Sequence, residues 1–193
     1  MRVLFLCVVM WSSSLIAQER PAPLQLNFTA SAESFDAATT EYRELWASEG
    51  PRIVATMERA TGLRFEAGPI GAVIYEGPSF SGFGERPMQL RASYPPATKR
   101  GTLVHELGHR LMGDRVPRDV DHHSVIFLFV YDVWVELWGQ AFADEQVAIE
   151  KKRTGRLADY EKLWRQALAH SAADRARRFQ QLVREFRKRR PAA

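Results

Sequence analysis

The sequence predicts a single α+β domain, with helices packed around one small mixed sheet. Helical periodicity marks residues 33–48 and most of the chain after residue 97. Three short runs of strand-forming residues lie between these parts, within residues 63–94. A chain of 193 residues is long enough to bury one substantial core. We therefore expect one globular domain whose helices carry most of the structure.

The first 17 residues are typical of a signal peptide. A short basic start is followed by the apolar run 3–11 and by small residues up to Ala17, after which we expect cleavage. An uncleaved anchor is the alternative. The only cysteine, Cys7, lies in this segment, so the mature chain would form no disulfide. The sequence predicts an exported protein, periplasmic or extracellular, with residues 18–32 as a linker.

The predicted domain, residues 33–150, begins with two helices and three strands. The first helix covers residues 33–48 and is expected to break at Gly50-Pro51, and a short second helix ends at Gly62. The strand candidates are residues 63–67, 70–75 and 88–94, and a mobile loop with exposed aromatic residues is expected at 77–84.

A motif with metal-binding potential follows the last strand. His105 and His109 are four residues apart, so on a helix their imidazoles lie on one face and can converge on one ion. Glu106 would stand beside the open position of that ion, as in the HExxH arrangement. The context favours a helix, because Thr98 is a plausible N-cap and Gly113 a plausible end. Gly108 would allow another backbone to pack closely beside the histidines.

These residues resemble the HExxH motif of the zincin metallopeptidases. The resemblance implies a zincin-like fold, a Zn²⁺ ion bound by His105 and His109, and Glu106 as general base for a zinc-bound water. The longer metzincin pattern is excluded, because it requires glycine at Met112 and histidine at Arg115. In zincins the strand before the metal helix lines the cleft, so an extended peptide could add to residues 88–94, although an ordinary edge strand is an equal alternative.

The most apolar stretch of the mature chain, residues 125–138, is too short to span a membrane and is predicted to be a buried helix. We expect the third metal ligand on this helix. Asp132 and Glu136 lie one turn apart there, and a buried carboxylate needs a partner. In the gluzincin branch a glutamate on a downstream helix binds zinc. Glu136 resembles that ligand, and Asp132 would orient a ligand histidine or exchange roles with it. The competing candidates are His122, His123, Asp144 and Glu145.

A second group should stabilise the oxygen that becomes negatively charged during hydrolysis. The candidates are His122, His123 and Tyr131. The sequence leaves the choice among them open.

Residues 151–193 are predicted to be a basic helical C-terminal extension. Residues 151–190 hold 14 Lys and Arg against 4 Asp and Glu, whereas residues 1–150 hold 13 against 19. These cations most simply form a solvated face, and contact with an anionic membrane or cell wall is the alternative. Nucleic acid is not an expected partner of an exported protein.

The sequence therefore predicts a zinc-dependent exported peptidase acting on a peptide or protein substrate. A non-catalytic zinc-binding interaction protein with the same fold is one alternative, although Glu106 would then have no use. A zinc amidase acting on cell-wall material is another.

Overall fold

The computed structural model describes residues 24–153 and 159–189, which form an α+β fold. The predicted signal peptide lies outside these residues. The strands are β1 (Gln25–Ala30), β2 (Pro69–Tyr75) and β3 (Met88–Arg91). The helices are α1 (Asp36–Thr61), α2 (Pro96–Met112), α3 (His122–Trp138), α4 (Gln140–Glu150), α5 (Tyr160–Leu168) and α6 (Ala172–Arg189).

The sheet has the order β1-β2-β3, and both neighbouring pairs are parallel. Phe28 lies opposite Ala72, which in turn lies opposite Met88. The prediction of a mixed sheet is therefore wrong for the named strands. The antiparallel element in the described part of the chain is an isolated bridge between Phe80 and Gln89.

Strand β1 lies inside residues 18–32, which the sequence analysis assigned to a linker. Leu26 and Phe28 are buried, whereas Gln25 and Asn27 are exposed. This alternation is the period of a strand with one buried face. The pattern was present in the sequence but short, and it was obscured by the polar residues around it.

Helix α1 continues through Gly50-Pro51, where a break was expected. Gly50 is buried, and a Cβ atom there would lie 2.7 Å from the Trp46 ring. Tertiary packing of Ile53 and Met57, both fully buried, holds the C-terminal half of the helix in line. The favourable burial thus outweighs the hydrogen bond that proline cannot donate.

Two of the three predicted strands are present. Residues 70–75 and the first part of 88–94 correspond to β2 and β3, but residues 63–67 are not a strand. There the amide of Phe65 donates to the Glu58 carboxylate at 3.2 Å instead of joining the sheet.

Helix α3 lies at the centre of the molecule, as its uniformly apolar sequence predicted. It packs against α1, α2, α4, α5 and α6. Phe127 and Trp134 are fully buried. Within the described residues, no helix combines the length and apolar character that crossing a membrane requires.

The two C-terminal helices share this core. Trp164 of α5 is fully buried and its ring stacks on Phe127 at a centroid distance of 3.9 Å. Arg175 of α6 is 5 % exposed and donates twice to the Asp132 carboxylate, at 2.9 and 2.5 Å. The region predicted as an extension therefore packs directly on the central helix.

Three basic residues of α6 are ion-paired. Arg175, Arg177 and Arg189 form ion pairs with Asp132, Asp174 and Asp119, respectively. Arg184 and Lys188 are exposed along the outer face. A contact of this face with an anionic membrane or cell wall remains a prediction.

We expect Arg175→Ala to destabilise the protein, because it leaves the Asp132 carboxylate without its charged partner. The free energy of unfolding should fall by about 2–3 kcal/mol, measured by urea denaturation. Arg177→Ala is the matched control: that side chain is 72 % exposed and pairs with Asp174, itself about half exposed. The control should change stability by no more than about 0.5 kcal/mol. Equal effects of the two substitutions would contradict the assignment of Arg175 to the core.

Candidate metal centre

Helix α2 presents two adjacent histidines to the interior. His105 is 1 % and His109 7 % exposed, and their Nε2 atoms are 3.3 Å apart. The helix runs from Pro96 to Met112 and ends at Gly113 as expected. The prediction of Thr98 as the N-cap is wrong, because Pro95 holds that position and Thr98 lies buried within the first turn. The four-residue spacing thus brings both imidazoles to one point, as the sequence predicted.

A third histidine reaches the same point from the first turn of α3. Ligand atoms of His105, His109 and His123 all lie within 4.8 Å of one another. The His123 ring centroid is 5.4 Å from that of His105 and 4.7 Å from that of His109. His123 was one of the alternatives left open by the sequence, and it completes a cluster of three candidate ligands.

The first turn of α3 is fixed by Asp121. Its carboxylate accepts from the backbone N–H of His123 at 2.9 Å and lies 3.0 Å from Nδ1 of the same residue. The N-cap interaction and the ring contact therefore come from one side chain. An imidazole that donates through Nδ1 keeps the lone pair on Nε2, the form that a metal ligand requires.

The structure does not bring Glu136 or Asp132 to this cluster. The Glu136 side chain is 51 % exposed and pairs with Arg59 of α1. Asp132 pairs with Arg175. Glu136 lies 13 residues after His123, which is about 20 Å along a helix axis. Neither carboxylate is buried as expected, and both pair with arginines from distant parts of the chain.

The other sequence candidates take different positions. His122 lies beside His109, with ring centroids 5.5 Å apart, but is not part of the three-histidine cluster. The Tyr131 hydroxyl donates to the Asp144 carboxylate at 2.8 Å, on the outer side of α3. Glu145 is exposed on α4.

Glu150, at the end of α4, is a site residue that the sequence analysis missed. It is 2 % exposed, and its Oε1 lies 2.7 Å from Nδ1 of His105. Its other oxygen accepts from the indole N–H of Trp164 at 2.9 Å. The Arg153 guanidinium lies 3.6 Å away. A carboxylate on the far nitrogen of a ligand imidazole is the usual means of orienting such a ligand. A glutamate near the end of an amphipathic helix gave no sequence signal for this role.

These contacts set the charge of Glu150. Burial raises its pKa, but the opposing effects of His105, Arg153 and Trp164 are larger in sum and leave it below the ordinary value. Glu150 is therefore ionised at neutral pH. A negative charge at this position favours a cation on the opposite side of the His105 ring.

Burial lowers the pKa values of His109 and His123, two of the three candidate ligands. The pKa of His109 lies well below the ordinary value and that of His123 is about 4, and neighbouring imidazoles add to both shifts. Both rings are therefore neutral at physiological pH. Neutral imidazole is the form that binds metal ions.

Glu106 lies on α2 between the two histidines and is 4 % exposed. Burial raises the pKa of its carboxyl, while His105 and Arg153 oppose the shift. A carboxylate with a raised pKa is a stronger base than one in water. The residue beside the cluster therefore has the character that proton transfer requires.

The C-terminal part of the chain closes one side of the cluster. The Tyr160 hydroxyl lies 2.8 Å from Nε2 of His123, and its ring lies nearly parallel to that of His105 at 6.3 Å. Trp164, one turn further along α5, is bonded to Glu150. Neither residue was predicted, because nothing in their local sequence relates them to the motif.

The three histidines of the cluster could hold a metal ion, and the His105–His109 spacing can be compared with that expected for zinc. A tetrahedral ion with Zn–N distances of about 2.0–2.1 Å separates its ligand nitrogens by about 3.3–3.4 Å. The Nε2 atoms of His105 and His109 are 3.3 Å apart. Three protein ligands with a fourth position left open is the arrangement of catalytic zinc, whereas structural zinc is closed by four.

Close packing of α2 and α3 depends on Gly108. A Cβ atom there would lie 3.3 Å from Cγ2 of Val130 and 3.5 Å from the Phe129 ring. We expected another backbone to pack beside this glycine, but the atoms nearest to it belong to the Val130 and Phe129 side chains of α3.

A pocket of about 750 Å³ is lined by His122, whose ring centroid lies 5.5 Å from that of His109, but the three histidines of the cluster do not line it. Phe83 also lines the pocket, with its ring centroid 5.7 Å from that of His122. Phe83 is 41 % exposed, in keeping with the exposed aromatic residues expected in this loop. Arg110 lines the pocket and donates to the carbonyl groups of Gly84 and Arg86 at 3.0 and 2.6 Å. The pocket is a candidate space for a substrate side chain.

The outer edge of β3 is partly occupied by the chain itself. Phe80 and Gln89 exchange two backbone hydrogen bonds of 2.8 Å, and the amide of Arg91 donates to the Ser79 hydroxyl at 3.2 Å. A peptide that adds to residues 88–94 would have to replace these bonds. Strand addition at this edge therefore remains a prediction that requires the 79–80 segment to move.

No protein-family model, no curated protein and no solved structure matches this chain.

We expect Glu150→Gln to weaken binding of added Zn²⁺ by about 10–100-fold, because the amide cannot supply the negative charge that orients and polarises His105. The affinity is measured by competition with a chromophoric chelator. Glu145→Gln, an exposed position on the same helix, is the control and should bind Zn²⁺ like the wild type. Equal affinities of all three proteins would contradict the role assigned to Glu150.

Proposed function

We propose that this chain is a zinc-dependent metallopeptidase of zincin type. His105, His109 and His123 would hold the ion, and Glu106 would act as general base. The observation that carries the proposal is the third histidine, His123, which meets the two motif histidines from a separate helix. A chance occurrence of the short motif would not be accompanied by a third ligand at the right place.

The surroundings of the cluster support a catalytic site more than a structural one. Three histidines leave a fourth position for a reactant. Glu106 is buried next to two of them and its pKa is raised by burial, which a purely structural site does not need. The pocket beside His122 provides space for part of a substrate. These features favour the enzyme over the non-catalytic zinc-binding protein.

In the proposed reaction, Glu106 accepts a proton from the water molecule that attacks a peptide carbonyl. It then returns this proton to the amine that leaves when the C–N bond breaks. Bound zinc would supply Lewis acidity, lowering the pKa of the attacking water and polarising the carbonyl. Glu150 holds His105 in orientation throughout, through the 2.7 Å contact to Nδ1.

The substrate is proposed to be a peptide or protein outside the cytoplasm, in line with the predicted signal peptide. A cell-wall amide is the alternative within the same chemistry, since the base and the three histidines would act on either amide.

We expect the purified protein to take up one zinc ion and to hydrolyse peptides from a mixed peptide library, with cleavage followed by mass spectrometry. Glu106→Gln should retain the ion and lose activity by at least about 100-fold, because removal of a general base costs about 10²–10⁴. His123→Ala should lose both the ion and the activity, because only two imidazoles remain.

Glu136→Ala is the control for the third ligand, and it should retain both properties, because its carboxylate pairs with Arg59. Zinc loss in Glu136→Ala, with zinc retained in His123→Ala, would contradict the proposed ligand set. A zinc-loaded wild type that cleaves no peptide would contradict the peptidase proposal, and cleavage of cell-wall fragments instead would favour the amidase.

A further inference from the structure

We propose that Tyr160 is a catalytic residue whose hydroxyl donates a hydrogen bond to the substrate oxygen that becomes negatively charged. The inference rests on the proposed function, because it assigns a role within the same site. It moves the oxyanion-stabilising role from the central helix to α5, in the part of the chain that the sequence assigned to a basic extension.

The position of the hydroxyl is the first argument. It lies 2.8 Å from Nε2 of His123. The Tyr160 ring centroid is 4.6 Å from that of His123 and 6.3 Å from that of His105. The phenol oxygen therefore lies at the edge of the three-histidine cluster, within reach of a group bound there.

The hydrogen-bonding pattern of His123 is the second argument. Nδ1 of His123 lies 3.0 Å from the Asp121 carboxylate and is the nitrogen that donates to it. Nε2 then carries the lone pair and accepts from the Tyr160 hydroxyl. If Nε2 held a metal ion, this lone pair would be used and the O–H group of Tyr160 would need another acceptor. We assign that acceptor to an oxygen atom of a substrate bound beside the three histidines.

The packing of Tyr160 is the third argument. Its ring contacts Phe127 at a centroid distance of 5.8 Å, and Trp164, one turn along the same helix, is stacked on Phe127. The indole of Trp164 also donates to Glu150. The Tyr160 hydroxyl is therefore held by the same packed residues, Phe127 and Trp164, that position Glu150 against His105. A preorganised donor contributes most to stabilising a developing charge, because it does not have to reorient during the reaction.

Two of the three candidates named from the sequence are less suited to this role. The Tyr131 hydroxyl is engaged by Asp144 on the outer side of α3. His123 belongs to the ligand cluster. Among the described residues, Tyr160 is the tyrosine whose hydroxyl is bonded to a candidate ligand.

The test is Tyr160→Phe, which removes the hydroxyl and keeps the ring. We expect zinc content to remain stoichiometric, KM to change by less than about threefold and kcat to fall by about 10²–10³, the usual effect of removing one oxyanion donor. The affinity for a phosphinic pseudopeptide, whose tetrahedral anionic oxygen resembles the charged oxygen, should fall by a similar factor in calorimetric titration.

Tyr131→Phe is the matched control, since it also removes a tyrosine hydroxyl, but from the side of α3 where that hydroxyl donates to Asp144. It should leave kcat and phosphinate affinity within about twofold of the wild type. Unchanged kcat and unchanged phosphinate affinity in Tyr160→Phe would overturn the inference. Loss of zinc in that variant would also overturn it, because Tyr160 would then support the metal and not the oxyanion.

The phosphinate titration separates this inference from the proposed function. If the zinc-loaded wild type binds the phosphinate but hydrolyses no peptide, the peptidase proposal fails. A weaker affinity of Tyr160→Phe would still support the donor role in that case, and an equal affinity would overturn it.

Discussion

The contact between Glu150 and His105 is the interaction on which the rest of the site depends. A buried carboxylate is costly unless it is paired and hydrogen-bonded, and Glu150 satisfies both demands with one imidazole, one indole and one guanidinium. The contact occupies Nδ1 of His105 and so turns Nε2 towards His109. The residues around Glu150 come from α2 (His105), α5 (Trp164) and the segment after α4 (Arg153). The site therefore forms only when these parts of the chain pack together.

The helices after residue 150 consequently contribute to the candidate site. Trp164 fixes Glu150, Tyr160 lies against His123, and Arg175 neutralises Asp132 on the central helix. A chain that ended at residue 150 would lack all three contacts. Part of the positive charge of this region is neutralised by ion pairs inside the fold, such as that of Arg175 with Asp132. Composition shows the charge but not the pairing, and for this reason it suggested a separate extension.

The sequence predicted the local features of the site better than its long-range ones. His105, Glu106 and His109 are recognisable because a helix converts fixed spacing into proximity. The third ligand depends on how α3 crosses α2, which spacing does not encode. The apolar stretch around Glu136 predicted a buried carboxylate, but its side chain is half-exposed and pairs with Arg59, 77 residues away in the chain. The alternation of β1 was readable, but Glu150 and Tyr160 acquire their roles only through packing.

Zinc K-edge X-ray absorption of the zinc-loaded protein tests the ligand set most directly, because it counts the atoms around the ion without relying on activity. The account predicts three imidazole nitrogens and one oxygen or nitrogen donor at about 2.0–2.1 Å, with the multiple-scattering pattern of histidine. A spectrum with two imidazoles and two or more carboxylate oxygens, or one without histidine scattering, would contradict a site built from His105, His109 and His123.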